Sequence, residues 1–229
     1  MTKKLKIAFQ GEPGANSHIA IVEAYPDAEP LPCPTFEDAL AAISSGDADL
    51  GMIPIENSVA GRVADIHHLL PHSGLFIVGE WFLPIHHQLM APRGAKLADI
   101  KTVESHVHAL GQCRRIIRKL GIRPIVSGDT AGSARIVAER GDKSCASIAS
   151  RLAADIYGLD ILAEDVEGDP QHHALCGAGA RGQMGGTGIG AAGHHVRIPG
   201  AQFARRALQG ARRLCHQRRQ YDQAGKLHG

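Results

Sequence analysis

Short apolar runs alternate with segments of helical spacing over the first 171 residues. Lys6-Ile7-Ala8-Phe9 reads as a strand. A turn-rich loop, Gly11-Glu12-Pro13-Gly14-Ala15-Asn16-Ser17, then leads into a helix from about His18 to Tyr25. In Phe36 to Ser45, the side chains of Phe36, Ala39, Leu40 and Ile43 share one helical face. Thr35 stands at the N-cap with Asp38 at the capping-box position, and Gly46 ends the helix. Leu50 to Ile53, Leu75 to Val78 and Trp81 to Leu89 read as further strands, the last made polar by His86, His87 and Gln88. Lys101 to Val103 predicts a strand, His108 to Leu120 a helix stopped by Gly121, and Pro124 to Val126 another strand. A helix opens in Asp129 to Ala134. Ser144 to Ala149 holds a short strand turning into a helix that ends near Gly158, and Leu159 to Leu162 is a last strand. This alternation argues for an α/β fold with mainly parallel sheets, and the stretch near residues 75–90 for a crossing between two lobes. Ligands of such folds bind beyond the carboxyl ends of strands, often between lobes.

Composition changes the picture only in the last quarter. An apolar fraction of 44% and a charged fraction of 21% fit a globular protein. No apolar run approaches a membrane span, and Leu5 to Phe9 is too short for a signal-peptide core, so a cytoplasmic chain with no membrane partner is expected. From residue 172 onward, however, lie nine of the 25 basic residues and only one of the 23 acidic ones, Asp222. Glycines recur from Gly177 to Gly193, Arg pairs follow, and no periodicity survives. By composition this tail is poorly specified.

Polar clusters follow the strands. They are Gly11 to Ser17, Pro54-Ile55-Glu56-Asn57-Ser58, Glu104-Ser105-His106 leading to Gln112, and Asp129 to Ser133. Each alone reads as a capped helix start, with Thr130 or Asp129 serving the cap or turn. Repeated after successive strands, they favour one cleft for a small polycarboxylate, since helix N-termini suit anions. The five cysteines form no CxxC pair, and Cys113 and Cys145 read as small core residues. The fourteen histidines include the adjacent pairs His67-His68, His86-His87, His172-His173 and His194-His195. Neighbouring side chains diverge, so no metal site and no cofactor is expected. His106 and His108 sit near the cleft without an assignable role.

The loops Gly11 to Ser17, Pro54 to Ser58 with Gly61, Glu104-Ser105-His106 with Ala109-Leu110-Gly111-Gln112-Cys113, and Asp129 to Ala134 resemble, in order and spacing, the motifs of prephenate dehydratase. Ala146 to Ser150 and Tyr157-Gly158-Leu159 continue the resemblance to about residue 171. It implies a two-lobed fold like a type 2 periplasmic binding protein, with the active site between lobes. Lobe 1 would span about residues 1–80 with a return over about 160–171, and lobe 2 about 81–159. It implies catalytic roles for Glu56, Asn57, Ser105 and Gln112, and substrate contacts from Asn16, Ser17, Ser58, Thr130 and Ser133. The substrate would be prephenate, converted to phenylpyruvate without cofactor or metal. The family's frequent homo-oligomerisation, through catalytic and ACT domains, is a possibility here.

The sequence departs from the family where the family's Thr-Arg-Phe motif is due, after Glu164 to Pro170. There it reads Gln171-His172-His173-Ala174-Leu175-Cys176, and the threonine's place falls near His173-Ala174. Back-translated and shifted by one frame, His172 to Gly182 can encode Ile-Thr-Arg-Phe-Val-Val-Leu-Ala-Arg-Glu. Ala207 to His228 can likewise yield the Glu-Ser end of an ACT domain. Residues 172–229 thus read as a frame-shifted remnant that lacks the last catalytic-domain strand, the threonine and phenylalanine regulation. Two other functions compete: a non-catalytic module for small carboxylates, and a nucleic-acid-binding tail. The second ranks lowest, for want of interleaved aromatic residues, so no nucleic-acid partner is expected. Arogenate is the alternative substrate within the enzyme class.

Overall fold

Eleven strands among the described residues fall into two sheets. A computed structural model describes residues 3–58, 61–168 and 171–180. In chain order the first elements are β1 (Lys6–Gln10), α1 (Asn16–Ala24), β2 (Glu29–Cys33), α2 (Phe36–Ser45), β3 (Leu50–Asn57), β4 (Gly61–Arg62), α3 (Ala64–Leu69) and β5 (Phe76–Ile85). Then come β6 (Gln88–Pro92), β7 (Thr102–His106), α4 (Val107–Gln112), α5 (Arg114–Leu120), β8 (Arg123–Ser127), α6 (Thr130–Arg140), β9 (Cys145–Ala149), α7 (Arg151–Tyr157), β10 (Leu159–Ala163) and β11 (Gln171–Gly179). The first sheet runs β2-β1-β3-β11-β5, with β4 paired to β3, and the second runs β10-β6-β9-β7-β8.

The α/β class and the two lobes are as expected, but the sheets are mixed rather than mainly parallel. β1, β2 and β3 are parallel, as are β7, β8 and β9, whereas β11 is antiparallel to β3 and β5, and β6 to β9 and β10. The antiparallel strands border the two crossings between sheets. The first crossing passes through His86 and His87, between β5 and β6. The second leaves β10 through Glu164 to Gly168, and the chain re-enters the first sheet at β11. The lobe boundaries therefore move: the 76–85 strand belongs wholly to lobe 1, residues 159–163 belong to lobe 2, and the return strand is β11.

Local chemistry explains most elements. Thr35 and Asp38 form the reciprocal capping box, and Gly46 closes α2 in the left-handed conformation, at φ 85°. Each lobe has an apolar core on both sides of its sheet. In lobe 1, α2 and α3 pack Leu40, Ile43 and Ile66 on one face, and α1 packs Ala20 and Ile21 on the other. In lobe 2, Val103, Ile117 and Ile148 fill one side, while Ala134, Val137 and Ala153 fill the other.

Three expectations are corrected. Leu75 to Val78 and Trp81 to Leu89 are not two strands, because β5 runs through Gly79 and Glu80 while pairing along its length with β11. The helix expected over His108 to Leu120 is interrupted at Cys113, where Gly168 N donates to the carbonyl of Gln112. The last strand is also not lost: β11 occupies the sheet between β3 and β5, with Leu175, Cys176 and Ala178 buried. Backbone ladder bonds do not depend on side-chain identity, and a gap between two strands leaves both with unpaired groups. The glycines let neighbours close in. A Cβ on Gly179 would lie 2.9 Å from the Leu50 side chain. Residues 181–229, with the expected ACT remnant, lie outside the described residues.

Candidate active site

The lobes meet where the loop after β1 reaches α6 and α7. Ser150 donates its hydroxyl to the Gly14 carbonyl at 2.6 Å, and Tyr157 donates to the Pro13 carbonyl at 2.9 Å. Arg135 pairs with Glu12 at 3.3 Å. Gly14 has φ 92°, and a Cβ there would stand 2.7 Å from Ala153 Cα, so a glycine is required by both conformation and contact. Ser150 also accepts from Ala153 N, capping α7.

Asn16, Ser17 and Thr130, three of the residues expected to hold substrate, open the helices that follow this loop or meet it. Asn16 and Ser17 open α1, whose N-cap Ala15 supplies no side-chain acceptor and whose first turn carries no acid. Those backbone N–H groups make an electropositive end. His18 folds back, its Nδ1 accepting from Gly14 N at 3.0 Å, and burial lowers its pKa. Thr130 is the first residue of α6, half-buried; Asp129 is the N-cap and accepts from Gly132 N at 2.6 Å.

Ser105 and Ser133 prove to be internal. Both are fully buried; Ser105 donates to the Ile148 carbonyl at 2.6 Å and Ser133 to the Asp129 carbonyl at 2.5 Å. One ties the end of β7 to β9, and the other tightens the first turn of α6. At the end of β3, Asn57 is buried, Glu56 is half-buried and Ser58 is exposed in the following turn. β11 runs beside them: His173 is paired in register with Asn57, and Ala174 with Glu56.

Gln112 is brought to the first crossing. His87 Nε2–H donates to Gln112 Oε1 at 2.9 Å, which turns the amide nitrogen of Gln112 away from His87. His87 is buried, and its backbone N–H donates to Glu167 Oε2 at 2.8 Å. Burial pushes the His87 pKa down. Gln112 and Glu167 oppose this, and His86 adds to it. Sequence reasoning missed His87 and Glu167, because each finds its partners across the two crossings rather than at a helical or strand spacing. The available signal was a polar triplet, His86 to Gln88, ending an apolar strand. His106 caps α4 by accepting from His108 N, and its pKa is lowered by burial and by His108, against Asp129.

The family model for prephenate dehydratase matches residues 7–174. This chain belongs to the prephenate dehydratase family. A bifunctional N-acyl-homoserine lactone acylase/prephenate dehydratase of Komagataeibacter europaeus is 49% identical over 167 residues, covering 73% of this chain and 59% of that protein. Arogenate dehydratase/prephenate dehydratase 1 of Arabidopsis thaliana, a chloroplastic protein, is 45% identical over 166 residues, covering 72% and 42%. Among solved structures, a prephenate dehydratase from Arthrobacter aurescens in complex with L-Phe superposes with a TM-score of 0.73 at 30% identity, over 80% of this chain and 63% of that one. The quorum-quenching acylase GqqA gives 0.74 at 45% identity, over 80% and 66%. The chain thus spans only about half of the curated relatives it matches. No helix among the described residues is long and apolar enough to cross a membrane.

Proposed function

We propose that this chain is the catalytic body of a prephenate dehydratase, able to bind prephenate but impaired in turning it over. The register of β11 carries the reading. The position where the family's threonine is due, His173-Ala174, is in register with Asn57 and Glu56. Prephenate is a dicarboxylate with a ring hydroxyl; its reaction expels carbon dioxide and, once protonated, that hydroxyl as water. Aromatisation supplies the driving force, so the protein must desolvate the ring carboxylate and protonate the leaving oxygen.

The uncapped start of α1 at Asn16 suits a carboxylate, while at α6, whose N-terminus Asp129 already caps, the Thr130 hydroxyl offers the substrate a hydrogen bond. Gln112, held by His87 at the first crossing, is assigned to the substrate side of this site. Glu56 and Asn57 flank the departing hydroxyl, and Ser58 lies at the mouth. Ser105 and Ser133 hold backbone in place. Without the threonine, loss of a positioned proton donor lowers the rate by about 10²–10⁴-fold. Titration calorimetry with prephenate tests the binding half. Saturable binding weakened by Thr130→Val supports the site, and an absence of binding removes it. Arogenate, named for the Arabidopsis relative, is tested in the same cell.

The name of the Komagataeibacter relative brings a second reading, hydrolysis of N-acyl-homoserine lactones. Release of homoserine lactone from an N-acyl substrate by the purified chain would favour it over the first.

A further inference from the structure

The two crossings between the lobes lie side by side. Val166 N donates to the His87 carbonyl at 2.9 Å, the Gln88 amide donates to Asp165 Oδ1 at 3.2 Å, and Asp165 backbone N donates to Gln88 Oε1 at 3.3 Å. Across this pair, three potential ligands converge. His86 Nδ1 is 3.2 Å from Glu167 Oε1 and 3.4 Å from an Asp165 carboxylate oxygen, and all three ligand atoms lie within 4.8 Å of one another. We propose that His86, Asp165 and Glu167 form a binding site for a divalent transition-metal ion, Zn²⁺ by the chemistry of its donors, that clasps the two interlobe crossings together.

Geometry, donor chemistry, outer bonds and access support the assignment. Zn²⁺ bonds of about 2.0–2.2 Å in tetrahedral geometry set ligand atoms roughly 3.3–3.6 Å apart, close to the two spacings from His86. One imidazole with two carboxylates suits zinc better than the all-oxygen sets of magnesium or calcium. Two ligands are held by groups outside the set: Glu167 Oε2 accepts from His87 N, and Asp165 accepts from Gln88, as outer bonds commonly orient metal ligands. The side chains of His86 and Asp165 are more than half exposed, leaving an entry path and room for a water in the fourth position. Asp165, with φ 47°, is the one non-glycine left-handed residue among the described residues, and the turn it makes sets its carboxylate beside Glu167. Arg151, a cation near Asp165 in the chain, is engaged by Glu164 at 2.7 Å.

Ligands on both crossings mean that the ion would resist any change in the angle between the lobes. The site is independent of substrate chemistry, and its test does not depend on turnover. The full chain, stripped with a chelator, is titrated with Zn²⁺ by calorimetry, and with Co²⁺ while its ligand-field absorption is followed. The wild type is expected to show one site tighter than any other. That site should vanish in His86→Ala and in Asp165→Asn, while far-ultraviolet dichroism stays unchanged. These side chains are surface-exposed, so both variants should fold. Retention of the tight site in both variants would assign the metal to other histidines and overturn the proposal. A wild type that binds neither ion would do the same.

Discussion

His87 and Gln112, 25 positions apart in the chain, are joined at 2.9 Å where the first crossing meets α4. The bond ties the end of α4 to the first crossing, and burial lowers the pKa of the ring that makes it. Replacing His87 by Leu leaves a part-buried amide oxygen without its donor. The expected cost is about 1–3 kcal/mol, read as a lower urea midpoint.

Stability should fall on mild acidification. Burial holds the pKa values of His18, His87 and His106 below the ordinary histidine value of 6.5. The unfolded chain therefore takes up protons near that value while the folded chain does not, so stability is complete above it and declines as pH drops below it. Asp49 and Asp142, whose pKa values are lowered chiefly by backbone N–H donors, act only in the more acidic range below 3.8. Urea unfolding at about pH 7.5 and about pH 5.5 checks this. The midpoint should be lower at the acidic value, and His87→Gln should narrow the difference.

The seam between lobes is sensitive to one hydroxyl. Ser150→Ala removes both the cap of α7 and the buried bond to Gly14. A loss of about 1–3 kcal/mol is expected by chemical denaturation. Gly14→Ala should be worse, because the added methyl meets Ala153 backbone and the left-handed φ disfavours it.

Native cysteines should be inert. Cys33, Cys113, Cys145 and Cys176 are buried, and burial pushes the Cys113 and Cys176 thiols up to about 12. A disulfide reagent at mildly alkaline pH should label these four only as fast as the protein unfolds, whereas denaturant should expose them at once.

Local signals were legible in the chain and long-range ones were not. Thr35, Asp38 and Gly46 mark α2 because caps act over three or four residues. β2 went unread because Pro30 and Pro32 look like loop; an edge strand tolerates them, since it is paired on one side only, with β1. Asn16, Glu56, Gln112 and Thr130 were found because they follow apolar runs, although Glu56 stands within β3 and the other three within helices. Whether a hydroxyl there faces a cleft or a carbonyl depends on tertiary neighbours, as the bond from Ser105 to Ile148 makes plain. β11 was dismissed on composition, yet a strand flanked on both sides by partners needs backbone more than side chains.

Where the family's threonine is due, this polypeptide carries His173-Ala174 instead. The direct measurement is phenylpyruvate formation from prephenate by the purified chain, set beside a version read in the shifted frame from His172 onward. The account predicts little or no product from the first and a gain of about 10²–10⁴-fold in the second. Turnover by the unaltered chain equal to that of the frame-shifted version would contradict it.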